Sequence, residues 1–175
     1  MMAIIFTISV YYIALRPQGL SWKAVGIQMF PRLYWGWTLL WYIVLVIGAT
    51  IIALLVEMWF GMGTENSKTE SLLSRLSALN MFIAFLSAAV ISPIYEEIIY
   101  RGFFYRWFRS QYGIVIGIIT STLVFTLAHL PIYNQLPYAL FTGIIFAWTY
   151  EKTISIFPAI NGLFNATIFF LTILG

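Results

Sequence analysis

The sequence predicts an all-α, polytopic membrane helical bundle of about six transmembrane helices. Three observations predict it. Of 175 residues, 62% are hydrophobic, and nine Lys and Arg with six Asp and Glu are the only charges, a balance far from that of soluble globular chains. These charges fall in clumps and leave uncharged runs at 1–15, 33–56, 76–95, 110–150 and 153–175, against the roughly 20 apolar residues a spanning helix needs. Seven of the nine basic residues fall in alternate loops, which is the positive-inside pattern.

Each element follows in chain order. The first run, 1–15, is short; it has no basic n-region and no small-x-small cleavage site after it, so it reads as a span and not as a signal peptide. Arg16, Lys23 and Arg32 make the first basic loop, and Tyr34, Trp35, Trp37 and Trp41 suit an interfacial belt at the start of span two. The polar stretch 61–75 carries Lys68 and Arg75 on the other side of the membrane. Residues 76–110 read as one long helix whose far end holds Arg101, Arg106, Trp107 and Arg109. Residues 113–129 read as its antiparallel neighbour after a turn at Gln111–Tyr112–Gly113. Pro131 and Pro137, in "LPIYNQLP", break the next run and leave a short fifth span at 136–150. Lys152 marks the last basic loop, and 153–175 forms span six. Both termini are expected outside and the arginine-rich loops in the cytoplasm. The whole is one membrane domain, with N-terminal spans and the polar loop in 1–79 and a core in 80–170.

The net charge of +3 follows from this topology and is no nucleic-acid signal. The absence of cysteine excludes disulfide and thiolate chemistry. The expected partners are the lipid bilayer and a peptide or protein substrate, with no nucleic acid; oligomeric state is not written in the sequence.

Carboxylates at bilayer depth are costly and mark function. Glu96 and Glu97 follow twenty uncharged residues, and the one histidine, His129, ends a second apolar run. At 1.5 Å per residue both levels stand roughly 22–25 Å above the turn at Gly113, which permits them to meet. Glu97 lies four residues before Arg101, the favourable order for a helix ion pair. Glu96 has Ile99 and Tyr100 at those offsets and is left as a free carboxylate suited to a general base. Pro93 loosens the helix just before it, Phe125 and His129 share a face, and Asn161 and Asn165 share another, with Pro158 upstream. Carboxamides on one face offer donors to an oxyanion. Each residue also has a structural reading: Glu97 and Arg101 as a helix bridge, His129 as packing, the asparagines as interhelical glue, and Gly113 and Gly117 as close-packing residues. Their conjunction on three helices favours chemistry.

The order E-E-x-x-x-R (Glu96, Glu97, Arg101), F-x-x-x-H (Phe125, His129) and N-x-x-x-N (Asn161, Asn165) resembles the CPBP family of type II CAAX prenyl proteases and bacteriocin-processing or Abi-type intramembrane proteases. The "RGFFYRW" continuation is also similar. The resemblance implies a multi-pass protein of the bacterial plasma membrane in which Glu96 and His129 activate a water against a peptide bond. It implies that Asn161 and Asn165 bind the oxyanion, with Glu97 and Arg101 as a structural salt bridge. The family's third motif is H-x-x-x-N or H-x-x-x-D, so Asn161 replaces a histidine and opens the alternative of a catalytically silent binding or immunity protein. The family has also been described as zinc-dependent. A catalytic zinc takes three protein ligands, whereas one histidine with both glutamates would leave neither a base nor a partner for Arg101. No tight zinc is expected; Glu96 and His129 are the ligands of any weakly held metal. A small proton-coupled transporter is disfavoured by the lack of an inverted repeat.

Overall fold

The computed structural model describes residues 2–60, 77–130, 132–156 and 160–174. The readings on Lys68, Arg75, Pro131 and Pro158 lie outside the described residues. Among those described there are six helices and no strand. α1 is Met2–Val10, continued by a π-helical turn at Tyr11–Leu15. α2 is Trp35–Phe60, α3 Ala78–Tyr112, α4 Ile114–Leu127, α5 Leu136–Thr153 and α6 Ile160–Leu174. Short 3-10 turns occupy the α1–α2 connection.

α2 shows why such a chain needs lipid. Leu39, Ile43, Ile47, Ile51, Leu54 and Met58 form an exposed stripe at i+3 and i+4 spacing, while Leu45, Ala49 and Val56 are buried. The apolar segments Arg32–Trp59 and Ala78–Tyr112 have 28 and 35 residues, and only 17% and 11% of their most apolar windows is buried. A core helix of a soluble protein would be mostly buried. The segments Ile114–Leu127 and Ile160–Leu171 are apolar but shorter. α3, about 50 Å long at 1.5 Å per residue, exceeds a hydrocarbon core of about 30 Å, so one end extends beyond it.

Local chemistry sets the boundaries that matter for the site. Ser77 caps α3, its hydroxyl accepting from Asn80 N–H at 3.3 Å. α3 runs to Tyr112, and Gly113 alone, at φ +87°, makes the turn into α4. Four residues on, a Cβ at Gly117 would stand 3.0 Å from the Tyr105 ring, so glycine there lets the hairpin close. α4 stops at Leu127, two residues short of His129. The N–H groups of His129 and Leu130 bond three residues back, to Thr126 and Leu127, as suits a chain whose next residue is Pro131. His129 therefore sits on a turn and not on the helix the spacing predicts.

The core lies where α3, α4, α5 and α6 meet. One cluster gathers Ile98, Ile99, Tyr105, Ala147 and Tyr150 with Leu15 and Val25 from the N-terminal segment. A second gathers Phe125, Ile145, Phe146, Ile160 and Phe164 with Leu45 and Ala49 of α2. The glutamate pair lies between them.

Candidate active site

The site begins with a defect in α3. The helix is π-helical over Leu86–Ile91, where Ser92 N–H bonds to Ser87 O five residues back. In that register the next donor, to Ala88 O, would come from Pro93, which has no N–H. The Asn165 side chain on α6 supplies the donor instead, Nδ2 to Ala88 O at 3.2 Å. Beside it Gly162 lies so close that an added Cβ would meet Ala89 O at 2.7 Å. α6 is thereby docked on the stretch of α3 that Pro93 opens.

One residue before Gly162, Asn161 is 3% exposed. Its Nδ2 donates to Glu96 Oε2 and Glu97 Oε1, each at 3.2 Å. The other Glu96 oxygen, Oε1, accepts from Ser92 Oγ at 2.9 Å, and Ser92 Oγ stands 3.2 Å from the Tyr95 hydroxyl. Glu96 is half-buried and Glu97 buried. Adjacent on the helix, the two carboxylates share a single amide donor.

From Glu97 to Tyr105 the helix is π-helical again. A π turn holds more residues than the α-helical 3.6, which brings i and i+4 nearer to one line. Glu97, Arg101 and Tyr105 accordingly all point into the core. Arg101 Nη1 is 3.2 Å from Glu97 Oε1, with neither side chain more than 9% exposed. The contact is off line for a hydrogen bond, so charge alone holds it. Arg101 Nη2 donates to Gly143 O on α5 at 3.3 Å. Aromatic faces take the rest of the cation, with the guanidinium carbon 4.6 Å from the centre of the Phe125 ring, 5.2 Å from Phe146 and 5.8 Å from Tyr100. Gly143 admits this approach, since a Cβ there would meet Thr122 at 3.0 Å and Phe125 at 3.2 Å.

Phe125 also ties in His129. The rings meet edge to face at 4.7 Å, and His129 Nδ1 lies 2.9 Å from Phe125 O. A carbonyl only accepts, so Nδ1 carries the proton in that bond and the neutral ring presents an unprotonated Nε2. Among the described residues His129 makes no hydrogen bond to either glutamate; Phe125, whose ring lies against the Arg101 guanidinium, links it to the pair. The structure thus brings Ser92, Glu96, Glu97, Arg101 and Asn161 into direct contact, adds Phe125 and His129 as one unit beside them, and uses Asn165 to hold α6.

Towards the arginine-rich end a cavity of about 10 Å³ is lined by Glu97, Thr149, Tyr150, Ser155 and Asn161 among others, a volume at the lower limit for one water. Among the described residues the buried Tyr150 hydroxyl beside it makes no well-aligned hydrogen bond, and Arg106 is the cation that faces it. Below, Arg109 grips Glu151 with two bonds, at 2.7 and 2.8 Å, and Tyr105 adds a third at 2.6 Å. The α1–α2 connection closes this end. Arg106 donates to Ala24 O, Gln28 to Ile154 O, and Ile156 N–H to Gly26 O. Ile154, which ends α5, has φ +49°, a strained value for a β-branched residue.

The sequence reading missed Ser92, Glu151 and the Gly143 carbonyl. Ser92 had a signal, its i−4 place before Glu96, and Glu151 had one in standing alone among the basic loops. A backbone carbonyl had none.

The donor set does not fit a catalytic zinc. It has one histidine, a Glu97 facing Arg101, and carboxylates already holding N–H and O–H donors. Among the described residues no three His, Cys, Asp or Glu side chains gather as a metal site.

A family model described as type II CAAX prenyl endopeptidase Rce1-like matches residues 78–165, half of the chain, and takes in every residue of the site. UPF0177 protein YbdI of Lactococcus lactis subsp. lactis (strain IL1403) is 37% identical over 65 residues, 37% of this chain and 33% of that one. "Putative membrane peptidase YdiL" of Bacillus subtilis (strain 168) is 27% identical over 94 residues, 54% of this chain and 37% of that one. The match spans well under half the length of these curated relatives. No solved structure matches the chain.

Proposed function

The chain belongs to the type II CAAX prenyl endopeptidase Rce1-like family, and from that premise we propose an intramembrane endopeptidase that hydrolyses a peptide bond near the cytoplasmic face of a multi-pass bundle. Glu96 is the general base. It takes a proton from a water whose second hydrogen is accepted by His129 Nε2, and the hydroxide attacks the scissile carbonyl. Asn165 uses one amide hydrogen on Ala88 O and has a second for the developing oxyanion. Glu96 then returns its proton to the leaving amine as the C–N bond breaks. Glu97 and Arg101 pair with each other and hold the helix.

The observation that carries this reading is the asymmetry of the pair. Glu97 is sealed against a fully buried arginine, whereas Glu96 is half-buried and makes no ion pair among the described residues. The mechanism needs no metal, in keeping with the donor set. The substrate is a peptide or protein segment that enters from the bilayer.

A second reading, a catalytically silent binding or immunity protein of the same fold, is favoured by one observation. Both Asn161 amide hydrogens have carboxylate acceptors within reach, which leaves one oxyanion donor fewer. The test is cleavage of a labelled peptide library by the purified protein in proteoliposomes, beside Glu96→Ala and His129→Ala. Cleavage lost in both variants and retained with a chelator supports the metal-free protease. No cleavage by the unaltered protein favours the silent reading.

A further inference from the structure

A glutamate side chain is long, and a general base works only when its oxygens are aimed at the water. Among the described residues Glu96 makes no ion pair, yet both of its oxygens are engaged. Ser92 reaches Oε1 from one turn earlier on α3, and Asn161 reaches Oε2 from α6. We propose that Ser92 and Asn161 are positioning residues that fix the Glu96 carboxylate between two helices. This rests on reading Glu96 as the base.

The geometry supports it from both ends. A serine hydroxyl has one proton, and the shorter contact, 2.9 Å to a carboxylate against 3.2 Å to the Tyr95 hydroxyl, takes it. The Tyr95 hydroxyl, at 3.2 Å, is the longer alternative acceptor for the same Ser92 proton. An amide nitrogen has two hydrogens, and Asn161 has two carboxylate acceptors at equal distance. Asn161 is 3% exposed, with its donors directed at the glutamates. It therefore serves to align the pair, and oxyanion binding falls to other donors. Four lone-pair positions on a carboxylate accommodate both clamps and still leave places for a water. The alignment depends on the docking of α6 at Gly162, one residue along.

The experiment is steady-state cleavage of one peptide in proteoliposomes by the unaltered protein, Glu96→Gln, Ser92→Ala, Ser92→Thr and Asn161→Ala, with thermal midpoints for each. Ser92→Ala, which leaves the Asn161 clamp in place, is expected to lower kcat about tenfold, less than the roughly 10²-fold cost of a full 1 Å misplacement of a reacting group, with KM and midpoint unchanged. Ser92→Thr, which keeps the hydroxyl, is expected to recover most of it. Asn161→Ala is expected to give a comparable loss; an oxyanion donor would lose about 10²–10³, and that larger loss overturns its place in the clamp. Unchanged kcat in Ser92→Ala, with Glu96→Gln inactive, overturns the proposal alone. Full activity in Glu96→Gln removes the base and the clamp together.

Discussion

Arg101 is fully buried with one aligned hydrogen bond, and it is tolerable there because Glu97 and three aromatic faces share its charge. Removing one member of a buried pair strands the other, at a cost of about 3–5 kcal/mol. Arg101→Met is therefore expected to lower stability on that scale, measured by unfolding in detergent. Arg101→Lys is expected to restore only part of it, since an ammonium is a point charge without the planar fork. The Glu97–Arg101 pairing was legible because it needs only residue spacing on one helix. The Asn161 contacts were not, since nothing in a one-dimensional pattern says that one amide meets both carboxylates. Ser92 was legible in principle, but a serine in an apolar run draws less notice than a charge.

At the scale of the element, Pro93 and Asn165 act as a unit: one withholds a backbone donor and the other supplies it. Asn165→Ala leaves Ala88 O unpaired, a cost of about 1–3 kcal/mol for a buried acceptor. In a Pro93→Ala background a backbone N–H is available, and the same substitution is expected to cost clearly less. A double-mutant cycle on thermal stability reads that coupling directly; additive losses would contradict it. The long helix α3 and its hairpin with α4 were legible from the uncharged runs and Gly113. The two π-helical stretches were not. Leu86–Ile91 is almost wholly apolar, so no pattern there reports the residues per turn, and in Glu97–Tyr105 the four-residue spacing of Glu97, Arg101 and Tyr105 suits an α turn as well as a π turn. Proximity to Pro131 ended α4 early and moved His129 onto a turn, where spacing had put it on the helix.

At the scale of the whole molecule, the apolar runs made the membrane class and the number of helices legible. The closure of the arginine-rich end by the α1–α2 connection, and the grip of Arg109 and Tyr105 on Glu151, depend on tertiary contacts between residues far apart in sequence. We propose that this end faces the cytoplasm, as the positive-inside pattern expects. Since the chain has no cysteine, single substitutions report topology without background. Lys23→Cys is expected to react with an impermeant maleimide only after the cells are opened; reaction in intact cells would invert the bundle. The central claim is that two neighbouring glutamates have different work in one enzyme. The measurement that tests it most directly is peptide cleavage by Glu96→Gln beside Glu97→Gln, in proteoliposomes, with the thermal midpoint of each. The account predicts that Glu96→Gln loses about 10²–10⁴ in kcat, the usual worth of a general base, and keeps its midpoint. Glu97→Gln should lose stability first and retain measurable turnover. An active Glu96→Gln beside a folded but inactive Glu97→Gln would contradict the account.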